Sequence, residues 1–288
     1  MYPPVDPIMV QLGPLTVRWY GVLMMLGVLA ATYVAARYVA SKGENAEHVW
    51  DMLLWVLIPG LIGARLYYVF VQSPRGPDGV GRYVADPGAI LRIWEGGLHI
   101  YGGFLFGAVA LLLYARFRAL NLPVFLDAIG LGLPLGQAIA RQANFINQEL
   151  YGPPTTLPWG LRIDAQHRIP PYNDLATYPD STRFHPLFLY ESLWNAIGFG
   201  LIFWISRRFA SQLKPSDLAL IYLIWYPLGR FFIEFLRTDS WFFPGTPFNV
   251  VHVVSAIAVA AATGLLISRH RARPAPTAAP QPTTEQSA

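Results

Sequence analysis

The sequence contains no cysteine among its 288 residues. This absence excludes disulfides, a thiol nucleophile within the chain and any cysteine-bound metal. Charge is also scarce, because Asp, Glu, Lys and Arg make up 13% of the residues whereas hydrophobic residues make up 54%. A soluble protein of this length needs more charge to cover its surface. The composition therefore predicts an integral membrane protein.

The sequence also lacks the motifs of several large function classes. It has no Walker or dinucleotide glycine loop and no HExxH or similar ligand spacing, so we expect neither a metal nor another cofactor. The net charge is +4, but Lys and Arg are dispersed rather than gathered on one stripe, so we expect no nucleic-acid partner. The N-terminal residues do not form a cleavable signal peptide, and the first apolar run is expected to target the chain.

Seven apolar runs approach the roughly 20 residues that cross a bilayer as a helix. A membrane β-barrel would instead show shorter, alternating segments. The predicted fold class is therefore all-α, a polytopic membrane protein with about seven transmembrane helices in a lipid bilayer. The runs cover residues 19–39, 49–71, 99–115, 124–140, 186–205, 218–236 and 250–267.

The distribution of basic residues predicts the orientation. Basic residues concentrate in alternate connections and after the last run, namely Arg37, Lys42, Arg116, Arg118, Arg207, Arg208, Lys214, Arg269, Arg271 and Arg273. Because cytoplasmic loops carry an excess of Lys and Arg, the N-terminus is predicted outside and the C-terminus in the cytoplasm.

Domain organisation follows from the same pattern. Residues 1–273 are predicted to form one transmembrane domain, and its long polar connection, 151–185, is a candidate cap or lid on the outer face. Residues 274–288 are rich in Pro, Ala and Thr and are predicted to form a disordered cytoplasmic tail.

The sixth run ends with three charged residues in a region where lipid makes charge costly. Arg230, Glu234 and Arg237 follow one another at spacings of four and three, which place them on one helix face. Two interpretations remain open. The three groups form a self-neutralising structural network, or their excess positive charge binds an anionic headgroup through the bidentate fork of arginine.

The fourth run ends in a denser polar group. Arg141, Asn144, Asn147 and Glu149 lie close together at the predicted helix end, where capping requires only one or two such residues. The two amides suit glycerol or phosphate oxygens, and Glu149 suits an arginine partner or proton transfer.

Other polar residues within or near the runs allow structural explanations. Arg65 is expected to pair with a carboxylate or a lipid phosphate, and we favour a structural role for it. Tyr20 and Tyr226 suit the aromatic belt, His99 suits an interfacial hydrogen bond, and Glu191 is expected at a helix start beside an arginine.

Five sequence blocks together resemble the prolipoprotein diacylglyceryl transferase family. They are RWYG, EGGLHIYGG, ARQANFINQELYG, HPLFLYE and YPLGRFFIEFLR, in the order and approximate separations of that family. The third block is the most similar to a family signature. The resemblance covers about residues 2–270, and five ordered blocks are far more specific than any one of them.

The resemblance implies a seven-span enzyme of the bacterial cytoplasmic (inner) membrane with an active site towards the outer face. Such an enzyme transfers the diacylglyceryl group of phosphatidylglycerol to the thiol of the lipobox cysteine in the signal peptide of a prolipoprotein. Glycerol 1-phosphate is released, as one step of lipoprotein maturation.

The resemblance also implies roles for individual residues. Arg141 and Arg230 match the critical arginines of the family. Other functional positions are matched by Tyr20, Asn144, Glu149, Gly152, Tyr226, Glu234 and Arg237. Ala140 and Ala143 replace two signature glycines, and Tyr101 stands where well-studied members have a histidine.

The base that deprotonates the acceptor thiol stays open between Tyr101, His99 and an oxygen of the substrate phosphate. Two rival functions are also considered. Intramembrane charges mark transport paths, although no repeated halves are found. Another phospholipid-using transferase is the second rival, although the paired-Asp metal motif of phosphatidyl-alcohol transferases is missing.

Overall fold

The computed structural model describes residues 1–3, 6–13, 15–72, 81–93 and 96–271. The described chain is mostly helical. Glu95 and the predicted tail, 274–288, lie outside the described residues. The long helices are α1 (Trp19–Ser41), α2 (Glu47–Tyr67), α4 (Ile100–Phe117), α5 (Leu122–Ile146), α6 (Leu187–Arg208), α7 (Asp217–Glu234) and α8 (Val250–Arg271), with a five-residue α3 (Gly81–Ala85) between α2 and α4.

All seven apolar runs fall on long helices, and six of these helices are long and apolar enough to cross a membrane. The chain is therefore a multi-pass membrane protein. Helix α7 is not among these six, because its 18 residues include three charged side chains, those of Asp217, Arg230 and Glu234. The count of seven spans stays a prediction.

Two small antiparallel sheets were not predicted. Strand β1 (Ile8–Leu12) pairs with β2 (Leu15–Arg18) immediately before α1, and β3 (Leu161–Arg162) pairs with β4 (Arg183–Phe184) in the long connection. Both sheets lie outside the long helices. No sequence signal marked these strands, because two to five residues are too few to give a clear alternating pattern.

Helix α5 lies at the centre of the bundle and contacts α1, α6 and α7. Its close contact with α1 depends on glycine. A Cβ atom built on Gly27 would lie 2.6 Å from the carbonyl oxygen of Gly136, and one on Gly132 would lie 2.5 Å from that of Ala31. Small residues let helix backbones approach closely in a membrane, so these positions fix α1 against α5.

Helices α2 and α4 approach through Gly63 and Gly102 in the same way. Near this contact, the buried Arg65 donates to backbone carbonyl oxygens, including those of Gly97 at 2.8 Å and Ile90 at 2.9 Å. Among the described residues Arg65 has backbone carbonyl oxygens as partners, so the carboxylate expected for it is not found there. Its structural role is confirmed, because the guanidinium holds the segment that leads into α4.

The connection between α5 and α6 is an ordered cap. Its apolar core consists of Tyr151, Leu161, Ile163, Tyr172, Phe184 and Phe188. The buried Arg168 donates to the carbonyl oxygens of Ile163 at 2.9 Å and Tyr178 at 2.6 Å. These contacts give the polar segment a core of its own.

The N-terminus packs against this cap. The Met1 ammonium group donates to the carbonyl oxygen of Gly160 at 2.6 Å, and the amide of Arg162 donates back to Met1 at 2.8 Å. The Tyr2 hydroxyl donates to Asp164 at 3.0 Å. The N-terminus and the cap therefore lie at the same end of the bundle.

Candidate active site

A reciprocal pair of tryptophans fixes helix α6 against α7. The rings of Trp194 and Trp225 stack with centroids 4.4 Å apart, and each indole N–H donates to the other residue's carbonyl oxygen at 3.0 Å. Gly198 and Gly229 face these rings, and a Cβ on either would lie 2.2 Å from an indole nitrogen. Since Glu191 lies one turn before Trp194, this tryptophan pair sets the register between Glu191 and α7.

Hydrogen bonds fix α6 against α5 at the same level. The Ser192 hydroxyl donates to the carbonyl oxygen of Ala138 at 2.8 Å and accepts a hydrogen bond from the Gln142 amide at 2.7 Å. Ser192 and Gln142 directly adjoin Glu191 and Arg141 in the sequence. Polar contacts between membrane helices therefore bring these two charged residues together.

Glu191 lies at the centre of the resulting cluster and is 2% exposed. Its carboxylate is 2.6 Å from the guanidinium of Arg141, 3.3 Å from that of Arg230 and 3.7 Å from that of Arg237. The three guanidinium groups come from α5, from α7 and from the connection after α7. Arg141 and Arg230, which the sequence placed on separate helices, thus converge on one buried carboxylate.

Glu234 is the second buried carboxylate of the cluster. It accepts from Arg230 at 2.7 Å, from the Ser240 hydroxyl at 2.9 Å and from the Asn249 amide at 3.1 Å. These bonds join the end of α7 to the connection before α8. Glu234 therefore orients Arg230 while satisfying its own oxygens.

Arg237 does not lie on the same helix face as Glu234, because α7 ends at Glu234. The prediction of three charges stacked on one helix was wrong for this residue. Arg237 instead holds Asp239 through two hydrogen bonds, 2.8 Å and 2.5 Å long. Partial burial opposes ionisation of Asp239, but the hydrogen bonds and charge of Arg237 outweigh it and hold the pKa of Asp239 below its usual value.

The expected excess of positive charge is not present in this cluster. Arg141, Arg230 and Arg237 face Glu191, Glu234 and Asp239, so formal charges balance. The prediction was wrong because it counted one helix, whereas Glu191 comes from α6 and Asp239 from a loop. Some N–H groups of Arg141 and Arg230 are still available to a ligand. Each guanidinium has five N–H groups, and the two side chains are 28% and 16% exposed.

The polar end of α5 forms a shelf beside Arg141. Helix α5 extends to Ile146, beyond the predicted end at residue 140, and Asn147 caps it. The amides of Asn144 and Asn147 each donate to the Glu149 carboxylate at 3.2 Å. Asn144 also accepts a long hydrogen bond from Arg141 at 3.5 Å. The four residues predicted to act together here are in contact.

Tyr20 faces this shelf across an open groove. The groove has a volume of about 910 Å³ and is lined by the first turns of α1, by β2 and by Asn147 and Glu149. Tyr20 and Met25 contribute mainly apolar surface on the α1 side. The groove is therefore polar where Asn147 and Glu149 line it and mainly apolar along α1, and Arg18 of β2 adds one cation to its lining.

His99 and Tyr101 belong to an aromatic cluster rather than to the arginine cluster. His99 stacks on Tyr67 at 4.8 Å and accepts a long hydrogen bond from the backbone of Tyr101 at 3.4 Å. The Tyr101 ring lies 6.4 Å from that of Trp241, which directly follows Ser240 in the sequence. Tyr101 is 46% exposed, and its ring contact with Trp241 links it to the loop that carries Ser240, a partner of Glu234.

Gly152 and Tyr226 have packing contacts in the structure. A Cβ atom on Gly152 would lie 2.8 Å from the carbonyl oxygen of Leu236, so this glycine lets the cap approach the end of α7. Tyr226 lies one turn before Arg230, and its ring stacks on Tyr222 at 5.7 Å.

Glu191 was not among the site residues predicted from the sequence. An arginine was expected beside Glu191, and that expectation is confirmed. A stronger signal was present, because Glu191 is the sole charged residue between Pro186 and Arg207 in an otherwise apolar run. Asn249, which lies in a loop, gave no comparable signal.

The fold and this cluster define a polytopic membrane protein with a charged, sheltered pocket at one end of its bundle. The sequence model of the family described as prolipoprotein diacylglyceryl transferase matches residues 7–268. This chain belongs to that family.

Three relatives of similar sequence support the same family. A phosphatidylglycerol–prolipoprotein diacylglyceryl transferase of Chloroflexus aggregans is 39% identical over 288 residues, which cover 94% of this chain and 92% of the relative. A protein of the same name from Streptococcus mutans is 37% identical, over 93% of this chain and 96% of its own. A third, from Streptomyces coelicolor, is 42% identical over 80% of this chain and 69% of its own.

Proposed function

We propose that this chain transfers the diacylglyceryl group of phosphatidylglycerol to the thiol of the lipobox cysteine of prolipoproteins and releases glycerol 1-phosphate. Family membership and the names of the relatives support this activity. One structural observation carries the assignment of the site. Arg141 and Arg230, from separate helices, meet at Glu191 in a partly sheltered pocket.

The reaction is a displacement at the glycerol carbon attached to phosphate. The acceptor thiolate forms a carbon–sulfur bond, the carbon–oxygen bond breaks, and the electron pair leaves with the phosphate of glycerol phosphate. Charge on that phosphate grows as the bond breaks. Arg141 and Arg230 stabilise it with N–H groups not directed at Glu191 or Glu234, because guanidinium donors fit phosphate oxygens.

The shelf at the end of α5 holds the polar part of the lipid. Asn144 and Asn147 present amides to glycerol oxygens, and Glu149 orients both amides. Tyr20 forms the opposite side of the groove, where its aromatic face contacts the apolar part of a substrate. Alignment of lipid and peptide in one sheltered groove lowers the entropic part of the barrier.

Three candidates remain for the base that takes the thiol proton: Tyr101, His99 and an oxygen of the substrate phosphate. The positions of Tyr101 and His99 favour the phosphate oxygen, because their described ring contacts are with Tyr67, with each other and with Trp241 rather than with Arg141 or Arg230. The phosphate is attached to the reacting carbon and therefore lies beside the incoming thiol.

The membrane placement of the site follows the basic residues. The protein occupies the bacterial cytoplasmic membrane with seven spans, an outer N-terminus and a cytoplasmic C-terminus. The contact of Met1 with Gly160 supports a common side for the N-terminus and the cap. Residues 1–273 form the catalytic domain, and 274–288 form its cytoplasmic tail.

Arg141 and Arg230 together form the proposed phosphate clamp, and replacing either of them tests the assignment of the site. Arg141→Ala and Arg230→Ala are each expected to lower transfer by about a hundredfold or more, as removal of a transition-state donor does. Transfer is measured by gel shift of a lipobox peptide in membranes containing phosphatidylglycerol. Arg116→Ala, at an exposed position near the end of α4, is the control and should retain wild-type transfer. Full activity in either clamp variant would remove the assignment.

The acceptor and the base are tested separately. A peptide whose lipobox cysteine is changed to serine should show no gel shift, and a shift would remove the thiol acceptor. Tyr101→Phe and His99→Gln are expected to retain transfer across neutral pH if the substrate phosphate is the base. Loss of transfer in one of these variants, with lipid binding unchanged, would identify that side chain instead.

A further inference from the structure

A second groove lies between α1 and α6 at the opposite end of the bundle from Glu191. It has a volume of about 460 Å³, and Leu131 of α5 contributes to its lining. Helix α5 contacts both α1 and α6 and separates them. Tyr20 and Arg37 lie 17 residues apart on α1, which is about 25 Å along the helix axis. The groove is therefore remote from the arginine cluster.

The lining of this groove changes from apolar to basic along both helices. On α1, Tyr33 precedes Arg37 by one turn, and on α6, Phe203 precedes Arg207 by one turn. Lys42 adds a third cation just after α1. Aromatic side chains thus face the interior of the membrane, whereas three cations lie near the helix ends. This gradient matches a phospholipid, with its acyl chains deeper than its phosphate.

The three cations have no acidic partner in the part of the chain that the structure describes. No carboxylate lines the groove, and the ion pairs found elsewhere do not include Arg37, Lys42 or Arg207. The Lys42 ammonium lies 5.3 Å from the ring of Tyr38, and the Arg207 guanidinium lies 5.2 Å from the ring of Phe203. Ring contacts of this kind leave N–H donors available for an anion.

The buried carboxylates at this end already have partners. Asp127 accepts from the backbone amides of Ser216 at 2.8 Å and Ala219 at 3.1 Å. Asp217 lies 2.7 Å from His270 and also accepts from a backbone amide. These groups fix the start of α7, and in the described residues neither forms an ion pair with Arg37, Lys42 or Arg207.

We propose that this groove binds the phosphate headgroup of an anionic phospholipid from the leaflet opposite the arginine cluster. Arg37 and Arg207 approach the phosphate from two helices, and Lys42 adds a point charge. The acyl chains run along the apolar part of the groove, against Tyr33 and Phe203. Basic pockets between membrane helices bind anionic lipid headgroups in this way. The site is distinct from that of the substrate.

Lipid retention tests the proposal. The full chain, purified in detergent, is incubated with phosphatidic acid or with phosphatidylcholine, and bound lipids are counted by native mass spectrometry. Arg37→Gln/Lys42→Gln/Arg207→Gln should retain one phosphatidic acid per chain fewer than the wild type, with no difference for phosphatidylcholine. An unchanged count would overturn the proposal. Displacement of the lipid by an equal concentration of inorganic phosphate would also overturn it, in favour of a free-phosphate site.

A matched control distinguishes binding in this groove from a nonspecific effect of lost positive charge. Arg116→Gln/Arg118→Gln/Arg271→Gln removes the same charge at the same end of the bundle but outside the groove, and should retain the wild-type number of lipids. An equal loss in the control would reject a specific site. If the triple groove variant does not fold, Arg207→Glu carries the test through one exposed position. The Arg207→Glu variant is expected to retain at least tenfold less phosphatidic acid in this site than the wild type, and retention equal to that of the wild type would overturn the proposal.

Discussion

Replacement of Glu191 by glutamine removes the negative charge at the centre of the arginine cluster. The substitution preserves the side-chain shape but leaves Arg141, Arg230 and Arg237 with only Glu234 and Asp239 as charged partners. Removing one member of a buried ion pair costs about 3–5 kcal/mol because the remaining charge is uncompensated. Glu191 is 2% exposed, so little solvent screening reduces this cost. We expect a destabilisation of about 3 kcal/mol.

Thermal unfolding in detergent, followed by tryptophan fluorescence, measures this effect. At about 2–4 °C per kcal/mol for a chain of this size class, the midpoint should fall by roughly 6–12 °C. Glu47→Gln, an exposed change in the first turn of α2, is the control and should cost less than about 1 kcal/mol. A midpoint for Glu191→Gln as close to the wild type as that of the control would refute the central role of Glu191.

The same variant distinguishes a charge effect from a packing effect. Inorganic phosphate can supply the missing negative charge to Arg141 and Arg230, and a ligand that binds the folded state stabilises it by mass action. We therefore expect phosphate to raise the midpoint of Glu191→Gln more than that of the wild type. An equal response of both proteins would show that these arginines do not receive phosphate at this position.

Two further predictions concern the cap. Gly152→Ala is expected to cost about 1–3 kcal/mol, because its Cβ would lie 2.8 Å from the carbonyl oxygen of Leu236, whereas Gly200→Ala, with open space around it, should not destabilise the protein in the same melting assay. The hydrogen bond from Gln148 lowers the pKa of Asp164 in the folded protein. The ionised carboxylate therefore stabilises the cap fully at pH values above the unfolded-state pKa of about 3.9, and this stabilisation is lost as the pH falls through the lower folded-state pKa. Hydrogen exchange of the cap should therefore accelerate below about pH 4, and Asp164→Asn should reduce that pH dependence.

The sequence predicted the helices well because lipid imposes simple requirements. A span must be long and apolar, and all seven runs lie on long helices. The convergence of Arg141 and Arg230 could be anticipated for the same reason, since isolated charges in lipid are costly. Helix ends were less accurate: α5 continues past residue 140, and α7 stops before Arg237. Polar residues near a helix end do not by themselves show which residue terminates it.

The partners of the arginines could not be read from local patterns. Glu191 meets Arg230 because Trp194 and Trp225 set the register of α6 against α7. No spacing within either helix encodes that register. Asp239 reaches Arg237 only because the chain turns after α7. Both carboxylates change the charge of the site, so the error in the predicted charge follows from tertiary contacts rather than from misjudged residues.

The buried carboxylate resolves a conflict in the proposed mechanism. A phosphate clamp needs guanidinium groups close together before the lipid arrives, yet two unit charges about 6 Å apart repel by roughly 3 kcal/mol at an effective dielectric constant of about 20. Glu191 contacts both Arg141 and Arg230 and offsets this repulsion in the empty pocket. The arginines are then already oriented when phosphate enters, and reorganisation does not add to the barrier. On this reasoning, Glu191 acts as a positioning residue that keeps the clamp assembled between turnovers.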